Sequence, residues 1–147
     1  MTETASERIR VDAAADRCFD VAIDFESYPE WARDVREAKV LETDAEGRGT
    51  KVEYRAAALG RSVRYVLAYD YAEAPTAFSW ELVEGDMLRR LDGTYRFEPE
   101  GPSSTRVHYD LAVDLSMPLP GLLKRRAAGL IMGSALKELK KQVEAVA

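Results

Sequence analysis

Few side chains in this sequence could serve as nucleophiles, general bases or metal ligands. His108 is the single histidine, which disfavours a Ser-His-Asp triad, a Cys-His pair and any metal site built on two imidazoles. By strand alternation His108 lies opposite Val107 and Tyr109, on the face that we expect to contact water. Cys18, the single cysteine, falls among the apolar positions of a predicted helix and is interpreted as an inert core thiol. We therefore expect no metal ion and no cofactor.

Arg89 is the charged residue with the most unusual predicted position. It shares strand parity with Leu91, which we expect inside, and a buried guanidinium needs a partner in the protein or in a ligand. Two alternatives stay open: the strand end twists so that Arg89 reaches water, or a bulge shifts the register so that Arg90 faces inward. Glu81 and Asp92 are predicted to face outward, so no inward carboxylate is expected for general-base work.

Aromatic residues with a polar group recur on the predicted inner face of the strands. They are Tyr54, Tyr65, Trp80, Tyr95 and Tyr109. Large apolar rings that carry a hydroxyl or an indole N–H are typical of small-molecule pockets, where a few polar groups orient a mostly apolar ligand. This set therefore predicts a binding wall rather than a catalytic centre.

The elements that must position these side chains are strands followed by one long helix. After a short first strand and a short amphipathic helix, about six consecutive segments alternate apolar and charged residues and are joined by short turns. This pattern predicts an antiparallel meander with one covered face and one wet face. Pro118 and Pro120 end the sheet, and the sequence from Leu119 onward is helical almost to its end, over about 25 residues.

The segment Asp24–Trp31 lies between the first helix and the strands and carries two large aromatics. Pro29 forbids a continuous helix there, and we expect it to hold Tyr28 in extended geometry. A second helical turn from Ser27 or Pro29 to Val35, with Pro29 in its first turn, is the other possibility. Tyr28 is interpreted as a packing residue beside Pro29. Trp31 is predicted at the rim of a cavity.

A cavity is expected because one helix, roughly 10 Å wide, cannot fill the concave side of six or seven twisted strands. Small residues on the helix, including Gly129 and Gly133, have two explanations: close packing of the helix on the sheet, or room for a ligand. The predicted cavity residues are Trp31, Tyr54, Ala56, Tyr65, Leu67, Trp80, Leu91, Tyr95, Tyr109, Leu123, Ala127 and Ile131.

Composition limits the class of protein. The chain has 147 residues, 46% hydrophobic and 32% charged, which suits a single domain over residues 1–147. The net charge is −5 without a dominant basic stripe, so nucleic-acid binding is not expected. The basic cluster Lys124–Arg126 is interpreted either as a solvated helix end or as a contact for an anionic headgroup. No run is apolar enough to span a membrane, and the polar first residues lack the apolar core of a signal peptide, so we expect a cytoplasmic protein. We expect the protein to be a monomer or a weak dimer.

The order of one strand, two short helices, six strands and a long C-terminal helix resembles the START-like, or SRPBCC, superfamily. Three stretches resemble its polyketide cyclase/dehydrase-like, coenzyme Q-binding-like branch. They are Ile9–Ala13 with Phe19–Val21, Asp24–Trp31, and Leu91–Phe97 with Ser104–Val107. The resemblance implies an α+β helix-grip fold, in which a curved antiparallel sheet of about seven strands surrounds the C-terminal helix.

The same resemblance implies two functions. The first is binding or transport of a hydrophobic small molecule (a lipid, a polyketide or an isoprenoid-like compound) between the sheet and the C-terminal helix. The second is a polyketide cyclase/aromatase acting on an enclosed poly-β-keto substrate, in which Arg89 would polarise a substrate carbonyl. A non-catalytic module that binds a partner through a charged face is the third hypothesis, and the well-mixed surface charges disfavour it.

Overall fold

A computed structural model describes residues 2–58, 61–116 and 121–146, with the backbone alone described for residue 58, residues 121–132 and residue 146. Within these residues seven antiparallel strands form one sheet. They are β1 (Glu3–Val11), β2 (Val35–Thr43), β3 (Gly49–Ala58), β4 (Arg61–Asp70), β5 (Ala77–Gly85), β6 (Leu88–Gly101) and β7 (Ser104–Leu115).

The strand order across the sheet is β1-β7-β6-β5-β4-β3-β2. Strands β2 to β6 each pair with the next strand in the chain, which confirms the predicted meander. β1 is the edge strand on the other side of the sheet and pairs with β7, from Glu3 opposite Val113 to Val11 opposite Thr105. Alternation then sends every second side chain to the inner face, so the core and the largest aromatics share one side of the sheet.

Two short helices follow β1, as predicted: α1 (Ala15–Ala22) and α2 (Tyr28–Trp31), with a 3₁₀ turn at Phe25–Ser27 between them. The prediction that Tyr28 is extended is wrong, because its φ of −52° and ψ of −41° are helical and Pro29 lies in the first turn of α2. A proline disfavours the helical region for the preceding residue without forbidding it. Tertiary contacts offset that preference: the Tyr28 hydroxyl donates to the Ala22 carbonyl, and its ring lies 5.7 Å from that of Phe25.

The long C-terminal helix is α3 (Gly121–Val146), and the contacts of its second half with the rest of the protein are described by the structure. Leu136, Leu139 and Val143 are buried at intervals of about one turn along it. Lys140 donates to the Arg10 carbonyl at 3.0 Å, and the Glu144 carboxylate accepts the Asp12 backbone N–H at 2.8 Å. This half of α3 is therefore fixed against the end of β1.

One end of the space between sheet and helix is solidly filled, and we call it the packed end. Phe19 on α1 meets Phe78 and Phe97 edge-on, each at 6.0 Å between ring centroids, and Phe25 is 1% exposed. Cys18 is fully buried there as a free thiol, as predicted, and burial raises its pKa. Thr105, the one buried polar side chain among the described residues, donates to the Ala13 carbonyl at 2.8 Å.

Among the described residues, no helix combines the length and the hydropathy needed to cross a bilayer.

Candidate functional site

The other end of the same space is open, and we call it the cavity. It has a volume of about 240 Å³ and lies between the inner face of β3–β7, helix α2 and the middle of α3. Both tryptophans and six of the seven tyrosines of the chain line it. The lining residues are Tyr28, Trp31, Ala32, Asp34, Val35, Tyr54, Ala56, Ala57, Val63, Tyr65, Leu67, Tyr69, Phe78, Trp80, Asp86, Met87, Leu88, Leu91, Tyr95, Tyr109, Leu115, Ser134, Ala135 and Glu138.

Most residues predicted for a cavity lie in this wall. The structure places there Trp31, Tyr54, Ala56, Tyr65, Leu67, Trp80, Leu91, Tyr95 and Tyr109. Leu123, Ala127 and Ile131 are on α3, and their side chains lie outside the described residues. Strand alternation brings the first set together because the inner faces of neighbouring strands point to the same space.

Sequence reasoning did not select Tyr28 and Tyr69 for the wall, although both line it. Tyr69 shares strand parity with Tyr65 and Leu67, so the alternation already contained the signal. Tyr28 precedes Trp31 by three residues on α2, which puts the two rings on one helical face at 4.8 Å between centroids. Because Tyr28 was expected to be extended, the helical spacing between Tyr28 and Trp31 was not considered.

Arg89 reaches water, which was one of the two alternatives to an inward position, and the inward position is wrong. Arg89 is exposed and is not among the lining residues. The pairing of β6 with β7 shifts register between Leu88 and Arg90, so Leu88 and Leu91 both face the cavity while the two arginines between them do not. The alternative that Arg90 faces inward is not met either, because Arg90 is exposed and pairs with Asp92 at 2.7 Å.

The Tyr28 hydroxyl donates to the Ala22 carbonyl, and the other five tyrosine hydroxyls in the wall fall into two groups. Tyr54 and Tyr69 hydrogen-bond to each other, with 2.6 Å between the hydroxyl oxygens. Tyr65, Tyr95 and Tyr109 make no hydrogen bond with any described residue, although Tyr95 and Tyr109 are only 8% and 6% exposed. Buried tyrosine hydroxyls usually find a partner. Their lack of one within the described part of the chain leaves donors directed at the open space.

Burial keeps these hydroxyls protonated. Desolvation raises the pKa of Tyr65 to about 12 and raises the pKa of Tyr95 and Tyr109 well above the usual value. The same cause raises the pKa of Tyr54 and Tyr69 well above that value. At neutral pH the wall therefore offers uncharged hydrogen-bond donors rather than phenolates.

Trp80 owes its position to Gly93, its partner across β5 and β6. A Cβ atom at Gly93 would lie 2.3 Å from Cζ2 of the indole and 2.9 Å from the Asp110 carbonyl oxygen. Only glycine leaves the room for the indole to lie against the strand. This contact sets how far Trp80 extends into the cavity.

The opening of the cavity to solvent, which we call the mouth, carries carboxylates. Asp34 and Asp86 are exposed, and Glu138 is half-buried on α3. The expectation of no inward carboxylate missed these three side chains, which line the same space as the tyrosines. Glu138 accepts the Arg33 backbone N–H at 2.9 Å and Asp86 accepts that of Arg64 at 3.2 Å.

No lysine, arginine or histidine is among the described lining residues. His108 lies instead on the outer face, where its Nε2 is 3.1 Å from the Glu98 carboxylate. Within the described residues, no group of three His, Cys, Asp or Glu side chains is arranged to hold a metal ion. The arrangement can therefore enclose an apolar molecule, donate hydrogen bonds to it and present negative charge where it enters.

Comparisons with known proteins agree with this architecture. Residues 2–144 match the model of a family described as polyketide cyclase/dehydrase and lipid transport. A START superfamily protein from Mycobacterium smegmatis is 26% identical and superimposes with a TM-score of 0.91, covering 98% of this chain and 99% of that one. The protein TTHA0849 from Thermus thermophilus is 25% identical, with a TM-score of 0.82 over 98% and 99% of the two chains.

The Zhui aromatase/cyclase from Streptomyces sp. R1128 is 13% identical, with a TM-score of 0.85 over 98% of this chain and 94% of that one. At that identity the likeness concerns the fold alone. None of the curated proteins matches the sequence.

Proposed function

The chain belongs to the polyketide cyclase/dehydrase and lipid transport family, and we propose that, as a member of it, the protein binds and carries a hydrophobic small molecule in the cavity. The single observation that carries this proposal is the aromatic-lined space of about 240 Å³ between the sheet and α3. Concave, mostly apolar spaces that carry a few polar groups are typical of small-molecule sites.

The size of the cavity fits a compact ligand body. An enclosed apolar cavity of about 150 Å³ holds benzene, so one of about 240 Å³ holds roughly ten non-hydrogen atoms, the size of two fused aromatic rings. A longer ligand would extend through the mouth. The buried part of the ligand is uncharged, because the described wall supplies no cation and the mouth carries Asp34 and Asp86.

Uptake of naphthalene, followed by ligand-observed NMR, tests this function, together with native mass spectrometry of the purified protein. Ala56→Trp places a large ring inside the cavity and is expected to abolish uptake. Ala68→Trp, on the exposed face of the neighbouring strand, is the matched control and should bind like the wild type. Absence of both a co-purified molecule and naphthalene binding in the wild type would sink the proposal.

The second candidate is cyclisation of an enclosed poly-β-keto chain, favoured by the carboxylates at the mouth. Asp34 makes no ion pair or side-chain hydrogen bond with another described residue, and it lines the same space as the tyrosine donors. A carboxylate can remove the acidic proton between two carbonyls, while hydroxyl donors stabilise the enolate oxygen that results. If this is the reaction, Asp34→Asn should lower the turnover of a poly-β-keto substrate by about 100-fold or more while naphthalene uptake persists.

A further inference from the structure

When two hydroxyls form one hydrogen bond with each other, only one of their two O–H groups is used as a donor. Tyr54 and Tyr69 are in this position: their oxygens lie 2.6 Å apart, and neither hydroxyl bonds to any other described residue. Whichever of them donates to the other, the second keeps an O–H group without an acceptor. Both side chains line the cavity. The unused donor is therefore available to whatever occupies that space.

We propose that the Tyr54–Tyr69 pair is the polar anchor of the cavity and donates a hydrogen bond to an uncharged acceptor oxygen, such as a carbonyl, of the bound molecule. This inference rests on the proposed binding function and adds the chemistry that the ligand must have. A hydroxyl that accepts one hydrogen bond becomes a stronger donor of the next, because the chain of bonds polarises each member. The pair is thus a better donor than an isolated tyrosine.

Aromatic contacts on both sides hold the pair in place. The Tyr54 ring stacks on that of Tyr65 at 5.2 Å and lies 6.3 Å from that of Tyr28. The Tyr69 ring lies 4.3 Å from Phe25, at the border with the packed end, and 6.0 Å from Trp80. A donor fixed before binding loses little conformational entropy when the ligand arrives.

The acceptor must be uncharged for two reasons. An anion would lose its hydration in a wall that supplies no described cation, and that loss is costly. An anion would also have to pass Asp34, Asp86 and Glu138 at the mouth. Raised pKa values keep both hydroxyls of the pair protonated at neutral pH, so the pair donates to a neutral oxygen and does not itself act as an anion.

Three probes of equal size separate these requirements. Acetophenone has a neutral acceptor oxygen, isopropylbenzene has none, and benzoate carries an anionic acceptor. We expect the wild type to bind acetophenone about five-fold more tightly than isopropylbenzene, the factor that corresponds to one net hydrogen bond, and benzoate most weakly. Dissociation constants come from NMR titration of the full chain.

The variants Tyr54→Phe and Tyr69→Phe, alone and together, test the assignment to the pair. The double variant should lose the five-fold preference for acetophenone while its affinity for isopropylbenzene changes by less than about two-fold. Tyr71→Phe is the matched control: it lies just beyond the end of the strand that carries Tyr69, its hydroxyl bonds to the Gly49 carbonyl at 2.6 Å, and it does not line the cavity. It should keep the preference.

The carbonyl stretching frequency of bound acetophenone gives a readout that a merely structural role would not move. In the wild type and in Tyr71→Phe this frequency should be lower than in the double variant, where the carbonyl accepts no hydrogen bond from the pair. Three results would overturn the inference and leave the binding function standing. The wild type could bind acetophenone and isopropylbenzene equally, the double variant could keep the preference for acetophenone, or benzoate could bind most tightly. Failure of all three probes and of naphthalene to bind overturns both.

Discussion

The two ends of the space between sheet and helix differ in the aromatic residues that they contain. Phe19, Phe25 and Phe97 fill the packed end, where rings meet edge-on and the exposed fractions are 6% or less. Six tyrosines and two tryptophans line the cavity. Phe78 lies between the two sets, 5.5 Å from Tyr95 on one side and 6.1 Å from Phe97 on the other.

The difference indicates where the protein can tolerate a polar atom. A ring without a hydroxyl can be surrounded completely, because it leaves no hydrogen-bonding group unsatisfied. A hydroxyl at the same depth needs a partner, and in the cavity Tyr95 and Tyr109 find none among the described residues. The packed end therefore serves stability, and the cavity retains groups whose partner comes from outside.

The largest effect on stability is expected from Phe97→Ala, at the packed end. Phe97 is 1% exposed, and its removal leaves a void that its neighbours cannot fill, so the free energy of unfolding should fall by about 3–5 kcal/mol. Chemical denaturation measures it. Tyr109→Phe, at a comparable depth in the cavity, is the control, and its free energy of unfolding should fall by less than about 1 kcal/mol. Equal losses of unfolding free energy in the two variants would contradict the assignment of stability to the packed end.

Gly93→Ala should damage the cavity selectively. The added methyl group would lie 2.3 Å from the Trp80 indole, so the ring must move, at about 1–3 kcal/mol of overpacking. Trp80 fluorescence should change, and naphthalene uptake should weaken. Gly133→Ala on α3 is the control: among the described residues its methyl group would meet Glu7 alone, at 3.7 Å, and the better helix propensity should stabilise the protein by up to about 1 kcal/mol. A Gly93→Ala protein with unchanged fluorescence and uptake would contradict this interpretation of the contact.

Alkaline pH should weaken the cavity region through its buried tyrosines, whereas the phenylalanines of the packed end have no proton to lose. Tyr65 titrates near pH 10 in the unfolded chain and at about 12 when folded, so only the unfolded state releases its proton between these values. Stability should thus be constant below pH 10 with respect to this group and fall above it, by at most about 1.4 kcal/mol per pH unit. Unfolding of Tyr65→Phe, measured from pH 8 to 11, should show a shallower fall; an identical curve would refute the assignment.

The smallest effect separates a bonded hydroxyl from an unbonded one. Tyr71→Phe removes the hydrogen bond to the Gly49 carbonyl and should cost about 1–2 kcal/mol. Tyr95→Phe removes a hydroxyl without a described partner and should be neutral or slightly stabilising. Thermal unfolding of both variants at the same pH makes the comparison. A larger loss for Tyr95→Phe would mean that its hydroxyl is already satisfied within the protein.

Much of the fold followed from alternation and turn chemistry alone. The predicted inner-face positions lie together in the cavity wall: Tyr54, Tyr65, Trp80, Tyr95 and Tyr109. Alternation fails wherever the register changes, as at Arg89, since one extra residue sends every later side chain to the opposite face. No local pattern signalled the carboxylates at the mouth, which come from two turns and a helix.

Local patterns in the chain were enough to set the periodicities, and with them the sheet, the spanning helix and the aromatic character of the inner face. Those properties depend on local geometry, which repeats every two residues in a strand and about every 3.6 in a helix. Three-dimensional packing was needed to show that Tyr54 meets Tyr69, that Trp80 lies over Gly93, and that Tyr28 turns helical to join the wall. Such contacts join residues distant in sequence, and their distances depend on sheet twist, bulges and helix placement, which no local pattern encodes.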